Sequence, residues 1–429
     1  MKCIENEIPF EVPEGWAWCR LKHVCTMAAG KAKPTDQIMT EPFEGCYPCF
    51  GGNGIRGYVD EYNQDGIFSI VGRQGALCGN INIAKGKFYA TEHAVVTTLF
   101  SGIDFNWSNY VLEALQLNSY ATGAAQPGLS VANVLNVFVP VPPTQEQVHI
   151  GIRIAESIKI IENIEDEKEN LQTLISSAKS KILDLAIRGK LVSQNPNDEP
   201  ASVLLERIRA EKEELIKAGK IKRDKKESVI FKGDDNSYYL KTGDITEPLE
   251  DWELDGLPDS WSFCCLGEIC DYGNCINVAT VDIDDSAWIL DLEDIEKDTG
   301  IVLQKVRKAK RNSISTKHLF HKGQVLYSKL RPYLNKVVLA DEDGYCTSEI
   351  LPLDFQENII PQYARYYLMS PTFLQYTNKC SYGVKMPRLG TVDGKKTIIT
   401  LPPLAEQKRI VKAIETIFAQ LDEISNAIA

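Results

Sequence analysis

Arg73 and Gln74 lie between Gly72 and Gly75. Arginine can bind a guanine edge through two hydrogen bonds and glutamine an adenine edge. The flanking glycines permit a backbone to come close to a ligand. Asn53, Arg56 and Asn80 add donors and acceptors in neighbouring turns, and Lys31 and Lys33 add ammonium groups suited to phosphate. A second set follows late in the chain: Lys329, Arg331, Tyr333, Asn335 and Lys336, with Lys385 and Arg388 on either side of Pro387. Read one at a time, each is first of all a surface residue.

Other chemistries find less support. Glu92 and Glu349 follow the two sets at similar places, and a carboxylate capping a turn explains them better than a general acid. Cys46 and Cys49 have the spacing of half a zinc site, but no second close pair follows nearby. The cluster Cys264, Cys265, Cys270 and Cys275 reads as core thiols. The Pro-Pro pairs follow Val141 and Leu401, not the Asp or Asn of an adenine methyltransferase loop, and no phosphate-binding Gly-x-x-x-x-Gly-Lys-Ser/Thr run occurs. No carboxylate set of a nuclease stands out.

The chain repeats itself. Pro13, Trp16, Cys19, Leu21 and Cys25 recur as Pro258, Trp261, Cys264, Leu266 and Cys270. Gly123, Pro127, Leu129, Pro142, Pro143, Glu146 and Gln147 recur as Gly383, Pro387, Leu389, Pro402, Pro403, Glu406 and Gln407. A period near 250 residues is the size of a domain plus a connector, so two similar modules in tandem are expected.

The 429 residues have room for both modules, and the 44% hydrophobic content suits packed domains. No apolar run is long enough to span a bilayer, no secretory leader is read at the start, and twelve cysteines then point to free thiols in a reducing cytoplasm. The net charge of −12 argues mildly against nucleic acid. Its distribution argues back: Lys305 to Lys336 holds ten Lys or Arg and no Asp or Glu, a candidate phosphate-facing surface.

Both modules read as strands and turns, with strands expected at Ile67–Val71, Ala94–Leu99, Val325–Ser328 and Lys336–Ala340, and a short helix within 105–120. After each Pro-Pro pair the pattern turns helical. Thr144 and Gln147 suggest a capping box. Ile154, Ile158, Ile161, Ile164, Leu171, Ile175, Ala178, Ile182 and Leu185 then form one apolar stripe, broken by Lys168 and ended at Gly189. Ile410, Ile414, Ile417, Leu421, Ile424 and Ile428 form a second, with coiled-coil spacing. Such seams must be buried, and antiparallel packing of the two helices on each other is the economical expectation. Pro200 is expected to open a further helix to about Lys217, followed by a charged linker, Lys220–Lys226.

The phrases PFEVPEGWAWCRL (Pro9–Leu21), LPDSWSFCCLGEI (Leu257–Ile269), FGGNGIRGYVDEY (Phe50–Tyr62), VGRQGALCGN (Val71–Asn80) and LYSKLRPYLNKVVLA (Leu326–Ala340) carry a resemblance. So do VPVPPTQEQ, ITLPPLAEQ and LAIRGKLVSQNPNDEPASVLLERI. In this order and duplication they resemble the specificity subunit of type I DNA restriction–modification systems, over essentially the whole chain. The resemblance implies an α+β fold with two similar globular target-recognition domains separated by long antiparallel coiled-coil helices. It implies that each domain reads one half of a split double-stranded DNA site, and that several of the residues named above touch DNA. It implies no catalysis by this chain. Methylation with S-adenosylmethionine would belong to modification subunits, and ATP- and Mg-dependent translocation and cleavage to restriction subunits.

The expected boundaries are residues 1–143 for the first domain, 144–231 for the central helices, 232–402 for the second domain and 403–429 for a short final helix. One departure stands out. The segment after Glu406-Gln407 is about 22 residues long and that after module one some 80, so the helix pair is expected to be short on one side. Two rival readings stay open: a coiled-coil scaffold whose modules bind protein, and a self-sufficient methyltransferase or nuclease. Salt-dependent DNA binding separates the first from the family reading, and a bound cofactor would favour the second.

Overall fold

The computed structural model describes residues 8–75, 77–123, 127–219, 223, 227–235, 237–249, 257–311, 314–355 and 359–428. Contacts divide the chain into two compact units, residues 1–167 and 168–429. Apart from Arg223, the charged linker lies outside the described residues.

Unit 1 contains strands β1 (Ala17–Arg20), β2 (Cys25–Ala29), β3 (Tyr47–Gly51), β4 (Gly54–Val59), β5 (Gln64–Gly72), β6 (Ile81–Ala90), β7 (Ala94–Leu99) and β8 (Phe138–Val141). Its helices are α1 (Phe105–Ala114), α2 (Val131–Val134) and the 44-residue α3 (Thr144–Ile187), which continues into unit 2. Six strands form one sheet in the order β2-β7-β5-β6-β3-β4. The expected strand at Ala94–Leu99 is β7, and Ile67–Val71 lies inside β5. Successive side chains face opposite sides of the sheet and both sides are covered here, so Val71 and Val95 are buried in one core and Ile70 and Val96 in another. Trp107 and Leu112 of α1 join Val71 and Val95 in one core.

Unit 2 adds helices α4 (Ala201–Lys217), α5 (Leu266–Ile269), α6 (Pro361–Leu368), α7 (Pro371–Cys380), α8 (Thr391–Lys396) and α9 (Leu404–Ile428). Pro200 precedes α4 as its spacing suggested, with its ring just outside the first turn. A strand at Ser228–Lys232 pairs with Tyr238–Thr242, which pairs with Ile245–Pro248. The expected boundary between residues 231 and 232 therefore falls inside a strand. The strands Val325–Ser328 and Val337–Leu339 match expectation and pair with each other, and Val325–Ser328 also pairs with Ile350–Leu353.

The repeated phrases are two halves of one object. In unit 1 the strand after Trp16 pairs with the strand before Pro142, with Cys19 opposite Val139. In unit 2 the strand after Trp261 pairs with the strand before Pro402, with Cys264 opposite Ile399. The register is conserved between the copies.

The Glu-Gln signature also has a physical role, and it is not the expected capping box. Thr144 donates its hydroxyl to Gly102 O at 2.9 Å. The Gln147 amide accepts from Asp104 N at 2.8 Å and donates to Pro142 O at 2.9 Å. Gln407 repeats this, accepting from Ile360 N at 2.9 Å and donating to Pro402 O at 3.1 Å. Both glutamines are buried, so partners distant in sequence replace the local cap. Each clamps the start of a long helix to the start of an earlier one, α3 to α1 and α9 to α6.

Within unit 2 the last turns of α3 pack antiparallel on α9. Lys179 pairs with Asp422, while eight residues on Ile187 O accepts from Thr400 Oγ1 at 2.7 Å, just before α9 begins. Leu183, Ala186 and Ile187 share a core with Ile410, Val411 and Ile414. The first half of the stripe is different: Ile158, Ile161 and Ile164 are exposed.

Candidate nucleic-acid interface

The two strand-end sets lie in the same clasp of three loops, built twice from backbone hydrogen bonds. In unit 1, Arg73 N donates to His93 O at 2.9 Å, Gly75 N to Pro127 O at 3.0 Å, and Leu129 N to Arg73 O at 2.9 Å. In unit 2, Lys329 N donates to Glu349 O at 3.0 Å, Arg331 N to Pro387 O at 2.7 Å, and Leu389 N to Lys329 O at 3.0 Å. Single bridges lock the third loop, Gln74 to Gly128 and Thr122 to Gly128 in one copy, Leu330 to Arg388 and Tyr382 to Arg388 in the other. Arg73 thus corresponds to Lys329, and Gly75 to Arg331. The backbone places His93, not Glu92, opposite Glu349, which corrects the expected pairing of the two glutamates.

Gly75 has φ of +97° with open space where a Cβ would stand. Arg331 holds the same left-handed region at φ +49°, an uncommon choice for a residue with a Cβ. Asn335 is left-handed too, at φ +50°. Gly72 does not open space for a ligand as expected. Its absent Cβ would stand 2.0 Å from Gly52 O, so the glycine admits the neighbouring turn instead.

That turn gathers the rest of the first set. Asn53 sits in it, and its Oδ1 accepts from Asn80 Nδ2 at 2.8 Å. Asn53, Arg73, Gln74 and Asn80 are all exposed. Lys31 is exposed beside the same clasp, with its backbone N bonded to Ala90 O at 3.0 Å. Arg56 is one strand further out and donates to Thr35 Oγ1 at 2.8 Å. Lys33 is committed elsewhere: its side chain is 9% exposed and its ammonium sits 2.8 Å from Glu61. The hydrogen bond to Glu61 raises its pKa and holds it charged.

In the second set Arg331 and Tyr333 are exposed and Lys329 half-buried. Lys385 is exposed at the tip of the third loop. Arg388 is engaged with Glu349, at 2.8 Å from Nη2 and 3.1 Å from Nε, which raises its pKa and ties the third loop to the second. Asn335 Nδ2 donates to Met369 O at 3.1 Å, and Lys336 Nζ to Leu292 O at 2.7 Å. Burial pushes the Lys336 ammonium below its usual range.

The basic stretch is largely neutralised in three dimensions. Lys305 and Arg307 pair with Asp341 and Glu342, Lys308 with Asp285, Arg311 with Asp291, Glu293 and Asp294, and Lys317 with Asp291. It is not a continuous phosphate-facing strip. The acids come from strands and turns that composition along the sequence could not place beside it. Among the described residues, Lys310, Lys322, Lys329 and Arg331 form no ion pair with a carboxylate.

The family described as "Type I restriction modification DNA specificity domain" matches residues 13–173 and again 258–429, one match on each copy of the repeat. The chain belongs to this family. It is 22% identical over 428 residues to the EcoDI type I restriction enzyme specificity subunit of Escherichia coli, covering 98% of this chain and 86% of the relative. It is 46% identical over 132 residues to the EcoprrI specificity subunit of E. coli, covering 30% of this chain and only 33% of that relative. Among solved structures, a chain of a type I R-M system studied for complex assembly and conformational transition matches 98% of this chain and 94% of its own length. Its TM-score is 0.56 and its identity 16%, a likeness of fold. The HsdS subunit from Thermoanaerobacter tengcongensis gives 0.50 at 15% identity, covering 98% and 93%.

The clasps of the two specificity domains also hold residues that the sequence did not single out. Tyr382 is 62% exposed and Met386 45%, on the same loop as Lys385 and Arg388. Their signal was present: an aromatic and a methionine flank Gly383, where the matching positions of the first copy are Thr122 and Gln126. Among the described residues, no group of three or more His, Cys, Asp or Glu is arranged to hold a metal ion, and every described cysteine is a free thiol. No described helix is long and apolar enough to cross a membrane.

Proposed function

We propose that this chain is the non-catalytic DNA-reading subunit of a type I restriction–modification complex. Each loop clasp reads one half of a split duplex site. Helices α3 and α9 set the distance between the halves and dock modification subunits, and restriction subunits complete the assembly in the cytoplasm. S-adenosylmethionine, ATP and Mg would be held by those partners. The observation that carries this reading is the clasp itself, present twice with one backbone pattern and different side chains: Arg73, Gln74 and Gly75 against Lys329, Leu330 and Arg331. Two rigid frames with non-identical donors suit an asymmetric, two-part target. In this reading Lys31, Asn53, Arg73, Gln74, Asn80, Lys329, Arg331, Tyr333 and Lys385 face DNA. Lys33, Arg56, Asn335, Lys336 and Arg388 support the loops. A scaffold that binds only protein would have no use for frames whose exposed tips carry the residues that read base edges.

The test is DNA binding by the chain assembled with its modification partner. Affinity is expected to fall roughly 10-fold or more between about 50 and 200 mM salt, because contacts to phosphate release counterions. Binding that is indifferent to salt, or absent with every duplex, would leave the scaffold reading.

A second expectation concerns stability. Trp261 Nε1 donates to Glu406 Oε2 at 3.0 Å, and burial raises the Glu406 pKa. Glu406→Ala leaves a buried indole N–H without its acceptor and should cost about 1–3 kcal/mol in chemical denaturation. Its exposed counterpart, Glu146→Ala, should change stability by no more than about 0.5 kcal/mol. Equal effects would show that the two copies are held together alike.

A further inference from the structure

The loop that carries Arg73 and the loop that carries Lys329 match beyond the clasp. Gly72 N donates to Asn80 O at 2.9 Å, and Ser328 N to Lys336 O at 3.1 Å. Inside this closure, Cys78 N donates to Gly75 O at 3.0 Å, and Leu334 N to Arg331 O at 2.9 Å. The spacing is the same in both, so Leu77 corresponds to Tyr333 and Gly79 to Asn335. Gly79 and Asn335 are both left-handed, at φ +88° and +50°. Each rests against the segment that follows a helix. A Cβ on Gly79 would stand 2.3 Å from Asn118 N, beyond α1, and Asn335 Nδ2 donates to Met369 O at 3.1 Å, beyond α6.

This frame holds one large apolar side chain outward in each copy. Leu77 is 56% exposed and Tyr333 46%. The next residue is drawn in: Cys78 is buried and Leu334 half-buried. A single exposed leucine on a surface needs no explanation. Two such residues at one position of a duplicated loop, beside the exposed donors Arg73, Gln74 and Arg331, do need one. The backbone bonds on both sides, with the third-loop bond at Gly75 or Arg331, keep the tip from folding back. On a duplex the base edges and phosphates are polar, and the apolar surfaces are thymine methyls and the faces of the stacked bases. A methyl suits leucine but makes little use of a tyrosine ring. The gap between two base planes takes either, the ring by stacking and the leucine as a wedge.

We infer that Leu77 and Tyr333 are wedges, each inserted between two base pairs of the half-site that its own module reads. The inserted side chain unstacks one step and kinks the duplex there. The polar contacts beside the tip offset the lost stacking. The consequence in the assembled complex is chemical. A methyltransferase must turn its target base out of the stack, and a base beside an opened step leaves it more easily. The inference rests on the proposed DNA reading and adds a deformation to it.

The experiment uses the chain assembled with its modification partner and the duplex site found by methylation profiling. A purine analogue whose fluorescence rises when it unstacks replaces one base at a time across both halves. On binding, the signal is expected to rise at one step in each half. Leu77→Ala should lose the rise in the first module's half and keep the other, and Tyr333→Ala should do the reverse. Leu77→Met and Tyr333→Phe should keep both. Both side chains are exposed, so neither alanine variant should shift thermal unfolding. A complex that binds its site with no rise in either half overturns the wedges and leaves the DNA reading standing. So does a rise that survives both alanine variants, which would assign the opening to the modification subunit. Failure to bind any duplex overturns the wedges and the reading together.

Discussion

Arg331→Ala relaxes or abolishes recognition of the half-site read by the second module and leaves the other half intact. The expected loss at the affected base pair is about 1–3 kcal/mol. The argument starts from the backbone. Arg331 holds φ +49° between two hydrogen bonds, its N to Pro387 O at 2.7 Å and its O from Leu334 N at 2.9 Å. A side chain in this region costs about 1 kcal/mol relative to glycine, and the first module uses Gly75 at the matching place. The arginine is exposed and pairs with no carboxylate among the described residues, so nothing inside the fold compensates for it. Arg331→Gly should therefore raise stability by about 1 kcal/mol while losing the same half-site. Methylation profiling gives the half-sites and thermal unfolding the stability. Equal damage to both halves, or a glycine variant that is less stable, would make Arg331 a structural residue.

Inserting four residues between Ile164 and Glu165 lengthens the gap between the half-sites and leaves their sequences alone. Residues 155–167 of α3 are all exposed, so the insertion breaks no packing there. Four residues add about 6 Å of helix, or roughly two base pairs at about 3.4 Å each. The reading loops are untouched. An unchanged gap in the methylation profile would show that α3 is not the ruler, and altered half-sites would show that the modules do not read independently.

What the sequence revealed here was periodic or repeated. The stripe from Ile154 to Leu185 placed α3, and Pro200 placed the start of α4. The β-branched run Ala94–Leu99 was a strand from end to end. The duplicated phrases gave two modules because several of the identities mark a contact made twice, as Gln147 and Gln407 do, although the Trp261–Glu406 contact has no counterpart at Trp16 and Glu146. What stayed hidden was long-range. Asp285, Asp341 and Glu342 neutralise the basic stretch from 20 or more residues away. Gln147 looked like a local cap because its partner Asp104 is 43 residues upstream. The strand Ser228–Lys232 was lost among charges that read as spacer. The site was half legible. Residue types picked out the tips of the clasps, but only the folded side-chain contacts separate Arg331, which is exposed, from Arg388, which Glu349 holds.

The glutamine clamps have a further consequence, for gearing. Gln147 ties α3 at both ends of its amide to the body of the first module, and Gln407 does the same for α9. A joint pinned in this way cannot swivel, so any change in helix length rotates the attached body as well as shifting it. Each helical residue turns about 100° and each base pair about 34°, both right-handed. Four added residues leave a net turn of about 40°, against about 69° for two base pairs, a phase error near 30° that side chains can absorb. Seven residues leave about −20°, against about 103° for three base pairs, an error near 120° that points the loops away from the groove. Target gaps that differ by two base pairs should therefore be within reach of small changes in α3, while a step of three should require the modules themselves to be rebuilt.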